Sequence, residues 1–240
     1  MESRTSLKSR SVIAILFLLS ISLVLIVPAA IGGEVTMLVK PAQIKFSGKT
    51  VWRPLKLHAQ VKQGDAIRTG RGGRVEISIT PHRQIRISEA SEIVVQELKE
   101  RPGGMRADIN LLVGRFWGSV RDTLKKNRER LNIRTATATI GVKGTSFGVD
   151  FDKENKIAQV AVVKGEVTVG SVTSGGPPKQ VAGPREIAPP EEVSREEWTQ
   201  IVARDQKLIL RPDQAPRLEP LTQDDKEDPW IKFNTDRDRS

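Results

Sequence analysis

The sequence predicts an all-β domain over residues 34–170, a sandwich, barrel or solenoid, on three observations. Apolar and polar residues alternate with a period of two in short runs, the pattern of half-buried strands. Turn residues recur between these runs at roughly 8–12-residue spacing. The apolar complement is Val, Ile and Leu, with 4% aromatics and no Tyr, and β-branched residues suit a pleated surface.

Taken in order, the chain opens with Arg4, Lys8 and Arg10 ahead of an uncharged apolar run, Ser11 to Val27, followed by Pro28, Ala29, Ala30, Ile31 and Gly32. This layout predicts a signal peptide or an N-terminal membrane anchor over 1–33, with Ala30 and Gly32 fitting a cleavage site and the run long enough to serve as an anchor if it is kept. Either way the remainder is exported, to the periplasm or the outer face of the cytoplasmic membrane. Strand runs follow at Leu55/Leu57, Val75/Ile77/Ile79, Ile85/Ile87, Ile93/Val95 and Ile109/Leu111/Val113, then at Ile140/Val142, Phe147/Val149/Phe151, Val160/Val162 and Val167/Val169. Between them lie Gly64-Asp65, Gly70 to Gly73, Pro81-His82, Pro102 to Gly104, Asp152 to Lys156 and Lys164-Gly165, all turn chemistry. The segment 116–134 reads as a strand to Val120 and then a charged excursion, loop or short helix. Residues 171–190 are Pro- and Gly-rich and read as a linker. Over 191–210, Ser194 and Glu197 make a capping box and Trp198, Ile201 and Val202 an apolar stripe, which predicts a short α-helix. The acidic stretch 211–240 is expected to be a disordered tail.

Charge and composition exclude several functions. There is no Cys, which removes disulfide frameworks and thiolate metal sites. His58 and His82 are the only histidines and do not form a metal-ligand or catalytic pattern. The net charge of +10 is uneven: residues 34–170 hold 25 basic and 14 acidic residues, whereas 171–240 hold 11 and 14. A basic middle attracts an anionic polymer or surface. Export excludes nucleic acid as that partner and leaves wall polymer or lipid.

The stretch ATATIGVKGTSFGVDF, residues 136–151, tests for a phosphate loop and fails. Lys143 precedes Gly144 where GxxxxGK[ST] needs it to follow, and no helical pattern comes after. Asp150, Asp152 and Glu154 begin like a calcium loop, but Asn155 stands where that loop needs Gly and Ala161 where it needs Glu. No nucleophile–base set has supporting context, so the expectation is no enzyme and no cofactor. The basic residues Lys125, Lys126, Arg128, Arg130 and Arg134 are the candidate contacts for an anionic partner, with a solvated loop as the other reading.

Five motifs in order, QGDAIRTGRGGRVEISI, ISEASEIVV, LLVGRFWGSV, IRTATATIGVKGTSFGV and VAVVKGEVTVG, make residues 60–170 resemble the FecR family of periplasmic domains. The resemblance implies a jelly-roll-like sandwich or a β-solenoid-like domain. It implies fold-motif roles for Gly64, Asp65, Arg68, Thr69, Gly141, Gly144, Thr145 and Gly165. Gly141 and Gly144 would form a bend between two late strands at angles closed to other residues, with Phe147, Val149 and Phe151 entering the core. Iron-uptake regulators of the family also carry a cytoplasmic sigma-factor-binding segment. Ten residues precede the apolar run here, so the resemblance implies a stand-alone exported FecR domain. Such a domain would be a non-catalytic binding or scaffolding module of the envelope, signalling through a separate membrane partner. The alternative is electrostatic attachment to peptidoglycan or anionic lipid, and a hydrolase is the third reading. If the basic run is a solvated loop, reversing the charges of Lys125, Lys126, Arg128 and Arg130 together leaves the melting transition unchanged, and a collapsed transition refutes the loop.

Overall fold

A computed structural model describes residues 32–101, 104–121, 130–171 and 199–239. Nearly all of the expected signal or anchor and of the expected linker, and Lys125, Lys126 and Arg128, lie outside the described residues. The compact unit that contains the described residues runs from Ile31 to Ser240. No helix among them is long and apolar enough to cross a membrane.

The chain is all-β. In order come β1 (Gly33–Val39), β2 (Ala42–Lys45), β3 (Arg53–Pro54), β4 (Gln60–Val61), β5 (Ala66–Thr69), β6 (Arg74–Thr80), β7 (Arg83–Ile87) and β8 (Glu92–Arg101). They are followed by β9 (Gly104–Val120), β10 (Arg130–Arg134), β11 (Ala138–Asp152), β12 (Ile157–Ser171), β13 (Thr199–Ala203), β14 (Gln206–Leu210) and β15 (Arg217–Pro220). Two short helices close the chain, α1 (Gln223–Glu227) and α2 (Pro229–Arg239).

The ladders resolve into two sheets that share strands. One runs β3-β2-β5-β8-β9-β10-β11-β12-β13, using the first halves of β9 and β11 and the second half of β12. The other runs β4-β1-β6-β7-β9-β11-β12-β14-β15, using the opposite halves of those strands. Their inner faces meet in one apolar core that joins Ile44, Ile67, Ile93 and Ile109 of the first sheet to Val35, Ile77, Ile85 and Phe147 of the second. Strands that switch sheets at a bend are how such a sandwich turns its corners.

Each long strand makes its switch at a glycine. In β9 the inward residues are Ala107, Ile109 and Leu111 before the bend, and Phe116 and Val120 after it. The parity changes across Gly114, whose φ is +88°. In β11 Ile140 and Val142 give way to Phe147, Val149 and Phe151 across Gly144, at +65°. In β12 Val160 and Val162 give way to Val167 and Val169 across Gly165, at +81°. An extra residue at a left-handed glycine is a bulge, and it flips which side chains face the core. Lys143 and Ser146 of β11 pair with Glu166 and Lys164 of β12, three steps against two. The two bends are stitched together: Thr145 Oγ1 donates to Glu166 O at 2.8 Å, and a Cβ on Gly165 would come within 2.7 Å of Gly144 O.

The other fold-motif residues build a second corner. A Cβ on Gly64 (φ +86°) would strike Ser47. Buried Asp65 accepts from Ser47 N and Lys62 N, both at 2.9 Å. Thr69 Oγ1 accepts from Ser91 N at 3.1 Å and donates to Ser88 O, while Arg68 Nε donates to Gln43 Oε1 at 2.8 Å.

Several expectations need correction. The GVKGT bend lies inside one strand, β11, instead of between two. Gly141 takes no unusual angle: it sits in the ladder opposite Asn132 and Thr168, with 3.8 Å of clearance for a Cβ, because one left-handed residue suffices for the bulge. Residues 199–210 do not continue a helix from 191. They form β13 and β14, hydrogen-bonded to the two halves of β12, because burying Val202 and Leu208 against that strand outweighs a three-residue stripe. Ile201 is 57% exposed while Val202 is fully buried, so they point to opposite faces. Trp198 lies outside the described residues. The segment 211–240 is ordered through Arg239 as β15, α1 and α2, so the folded unit does not end at residue 170.

The glycine geometry yields a paired expectation. Gly165→Ala and Gly144→Val each lower stability by at least about 1 kcal/mol in thermal and urea unfolding, the cost of forcing a left-handed residue. Gly141→Ala stays within about 0.5 kcal/mol, as a substitution free of clash should. Equal losses at all three positions contradict the bend assignment.

Candidate functional site: the helix-covered face and its cleft

The core-facing parity of the second sheet leaves its opposite face to Glu76 (β6), Arg86 (β7), Trp117 (β9), Gly148 (β11), Ala161 (β12) and Lys207 (β14). These residues are register partners in succession, a single row crossing six strands. Charges stand at its ends. At its centre Trp117 packs against Gly148, where a Cβ would lie 3.4 Å from the indole, and the small Gly148 and Ala161 leave room for a helix.

That helix is α2. Trp230 and Ile231 join Trp117 in an apolar cluster bordered by Ala161, Val163 and Phe233. Pro229 opens the helix with its φ pre-set. Asp228 caps it, its Oδ1 accepting from Trp230 N at 2.9 Å and Ile231 N at 3.0 Å, the usual role of an Asp at this position. The same carboxylate receives both terminal nitrogens of Arg115, at 3.2 and 2.8 Å.

The far end of α2 closes on the charged end of the row. Arg86, 3% exposed, donates Nε to Glu76 at 2.6 Å and Nη1 to Asp238 at 2.7 Å and to Asn234 at 3.3 Å. Trp117 Nε1 donates to Asp238 Oδ2 at 3.0 Å. Glu76 also receives Arg237 at 2.7 and 3.1 Å and Thr36 Oγ1 at 2.8 Å. Burial alone would raise the Glu76 carboxyl, but hydrogen bonds from Arg237, Arg86 and Thr36 outweigh it and lower the pKa from 4.5 to about 2. Removing one partner of such a buried group leaves an uncompensated charge, and this makes the arrangement a specific clasp.

Beside the helix start lies an open cleft of about 210 Å³. Leu221, Trp230 and Ile231 contribute apolar walls, and Arg115, Asp150, Lys207, Asp225 and Asp228 a charged rim. Lys207 Nζ holds Asp225 at 2.8 Å and reaches Glu219 at 3.9 Å. Burial works to raise Asp225 and Asp228, yet the hydrogen bonds from Lys207 and Arg115 keep both below the ordinary carboxylate value. Asp150 goes the other way. Crowding by the cleft walls raises it, the nearby Asp228 and Asp152 add to the rise, and Arg115, at 3.4 Å and already bound to Asp228, offsets only part. Asp150 is the rim charge with capacity left for a cation. Among the described residues no group of His, Cys, Asp and Glu is arranged to hold a metal ion.

None of the sequence-predicted site residues lines this cleft. The fold-motif residues stand at strand corners and in the ladders. Arg134 is exposed on β10, opposite Asn110 and Thr139, and the backbone of Arg130 pairs with Arg106. Glu76, Arg86, Asp228, Trp230 and Asp238 carry the site instead. A signal was present: Trp117 alternates out of phase with Phe116 and Val120, so it points away from the core and needs a cover.

The architecture defines an all-β sandwich whose outer face is covered by the chain's own end. Residues 65–168 match the family described as FecR protein, the same family that the sequence motifs resemble. The match encloses the bends at Gly114, Gly144 and Gly165 and the sheet half of the clasp, Glu76, Arg86 and Trp117, and leaves out β1 to β4 and the helix half, Asn234, Arg237 and Asp238. No curated protein matches the chain. Two crystal structures of a candidate anti-sigma factor from Parabacteroides distasonis resemble it, each at 13% identity, with TM-scores of 0.43 and 0.44. Each alignment takes in 65% of this chain and 59% of the other, so this chain spans less than two thirds of that protein. A likeness at this level carries no argument about function.

The clasp sets an acid limit. In the unfolded chain Glu76 titrates near 4.5, and in the fold near 2. Its contribution is therefore complete above about pH 4.5 and disappears as the pH falls towards 2. Urea unfolding across that window will show wild-type stability falling with pH. Glu76→Gln will start less stable at neutral pH, by about 3 kcal/mol, and fall less steeply. Parallel curves would remove Glu76 from this role.

Proposed function

We propose that this chain is an exported FecR-domain module of the cell envelope that binds a protein partner without catalysis and signals through a separate membrane protein. The open cleft beside the docked helix carries the reading. Its apolar walls fit a side chain, its rim charges are engaged in holding the structure, and Asp150 retains capacity for a cation. A basic peptide segment with an apolar residue is the occupant this chemistry suits. The FecR match supports membership of a signalling system, and the basic-flanked apolar run Ser11–Val27 supports export. The second reading, attachment to an anionic surface, draws support from a different part of the fold, the basic segment between β2 and β4.

A photo-cross-linker placed at Gln159, on the cleft wall, tests the first reading in intact cells. The expected result is one dominant envelope protein, retained at about 0.5 M salt because screening weakens exposed charge contacts far more than an apolar one, and lost with Asp150→Lys. Recovery of wall polymer or lipid alone overturns the proposal.

A further inference from the structure

Between Glu34 and Asp65 the sequence holds Lys40, Lys45, Lys49, Arg53, Lys56 and Lys62 and no acidic residue. The same segment is unusually apolar on its surface. Of seven large hydrophobic residues exposed among the described residues, Val39, Phe46, Val51 and Leu57 belong to it, Val51 being 65% exposed. Two cations lie over the Trp52 ring, Lys45 Nζ 4.9 Å and Arg68 Cζ 4.2 Å from its centroid.

The topology places this segment at one edge of the sandwich. β3 is the edge strand of the first sheet and β4 of the second, so residues 46–62 run along the side that both leave open. Asp65 ties Ser47 N to Lys62 N there, and it is itself 2% exposed. Glu34 of β1 is engaged by His58 of this segment at 2.7 Å. β4 pairs with the first residues of β1, Gly33 opposite Val61. From Gly33 back to Val27, the end of the apolar run, the chain spans at most about 20 Å.

We infer that this edge is a bilayer contact: Phe46 and Val51 enter the interface of an anionic membrane while Lys49, Arg53 and Lys62 meet the lipid head groups. Aromatic and basic side chains together are the composition that settles at that boundary, the rings at head-group depth and the long cationic stems reaching out to phosphate. The inference deepens the attachment reading and takes the apolar run as an anchor. It assigns the contact to the 46–62 edge in place of the basic run at 121–134. A short tether raises the local concentration of this edge at the lipid, so a patch too weak to bind alone suffices.

The absence of cysteine permits a direct test with the full-length chain. Val51→Cys and, as reference, Gln214→Cys in the turn between β14 and β15 are labelled with a polarity-sensitive dye and reconstituted into vesicles. One set is neutral phosphatidylcholine, the other contains about one third phosphatidylglycerol, and both carry a lipid-borne quencher. Flotation with neutral vesicles reports the anchor separately. The expected result is quenching at Val51 several-fold above that at Gln214 in anionic vesicles. Lys49→Glu, Arg53→Glu and Lys62→Glu together remove the difference while the melting transition is retained, and the double change at Lys49 and Lys62 serves if the triple variant does not fold. Equal signals in the two lipids from a chain that floats overturn the contact. Quenching in anionic vesicles by a chain that does not float with neutral ones upholds the contact and overturns only the anchor. A dye shift produced by soluble peptidoglycan fragments and not by anionic vesicles overturns the lipid assignment.

Discussion

Everything in this fold depends on strands that leave one sheet and enter the other without exposing their apolar side. A strand of fixed parity cannot do this, since turning the corner presents its polar face to the new core. β9, β11 and β12 each insert one residue at Gly114, Gly144 and Gly165 and so restore the parity. The bends in β11 and β12 face one another and share the Thr145–Glu166 hydrogen bond, so neither strand can straighten alone. The FecR match spans all of these bends, and the sheet-switching corner is the part of the structure it describes.

Once the corners are set, the outer face of the second sheet follows as a consequence. Its row from Glu76 to Lys207 combines a buried Arg with small residues and an outward Trp, an unsuitable surface for water. The C-terminal helix completes it. Lys and Arg outnumber Asp and Glu over 34–170, and the reverse holds beyond. The meeting of Arg86 with Asp238 and of Arg115 with Asp228 gives that asymmetry an internal use. Among the described residues no acid of the tail pairs with the basic edge at Lys49, Arg53 and Lys62, and β4, beside that edge, lies at the opposite margin of the second sheet from β15.

The strands were legible because a period of two in Val, Ile and Leu fits a half-buried strand and little else, and the FecR motifs were legible because their order is kept. The bends were half legible. The step from Val142 to Phe147 breaks the alternation by an odd number of residues, which is the trace of an inserted one, but the pattern does not say which glycine supplies it, and Gly141 was credited alongside Gly144. The clasp was not legible. Asp228 and Asp238 resemble parts of a solvated tail when their partners, Arg115 and Arg86, lie 113 and 152 residues away. Residues 199–203 failed for a related reason: a three-residue apolar stripe fits helix and strand alike, and the open edge of β12 decides.

The same separation bears on the order in which the molecule can be completed. A chain synthesised from its N-terminus delivers β6, β7 and β9 long before residue 238. Through that interval Trp117 and Arg86 have no helix to cover them. The molecule's own tail, arriving last on the same chain, has the advantage of tethering over any free competitor. Maturation of the domain is therefore timed by the arrival of α2.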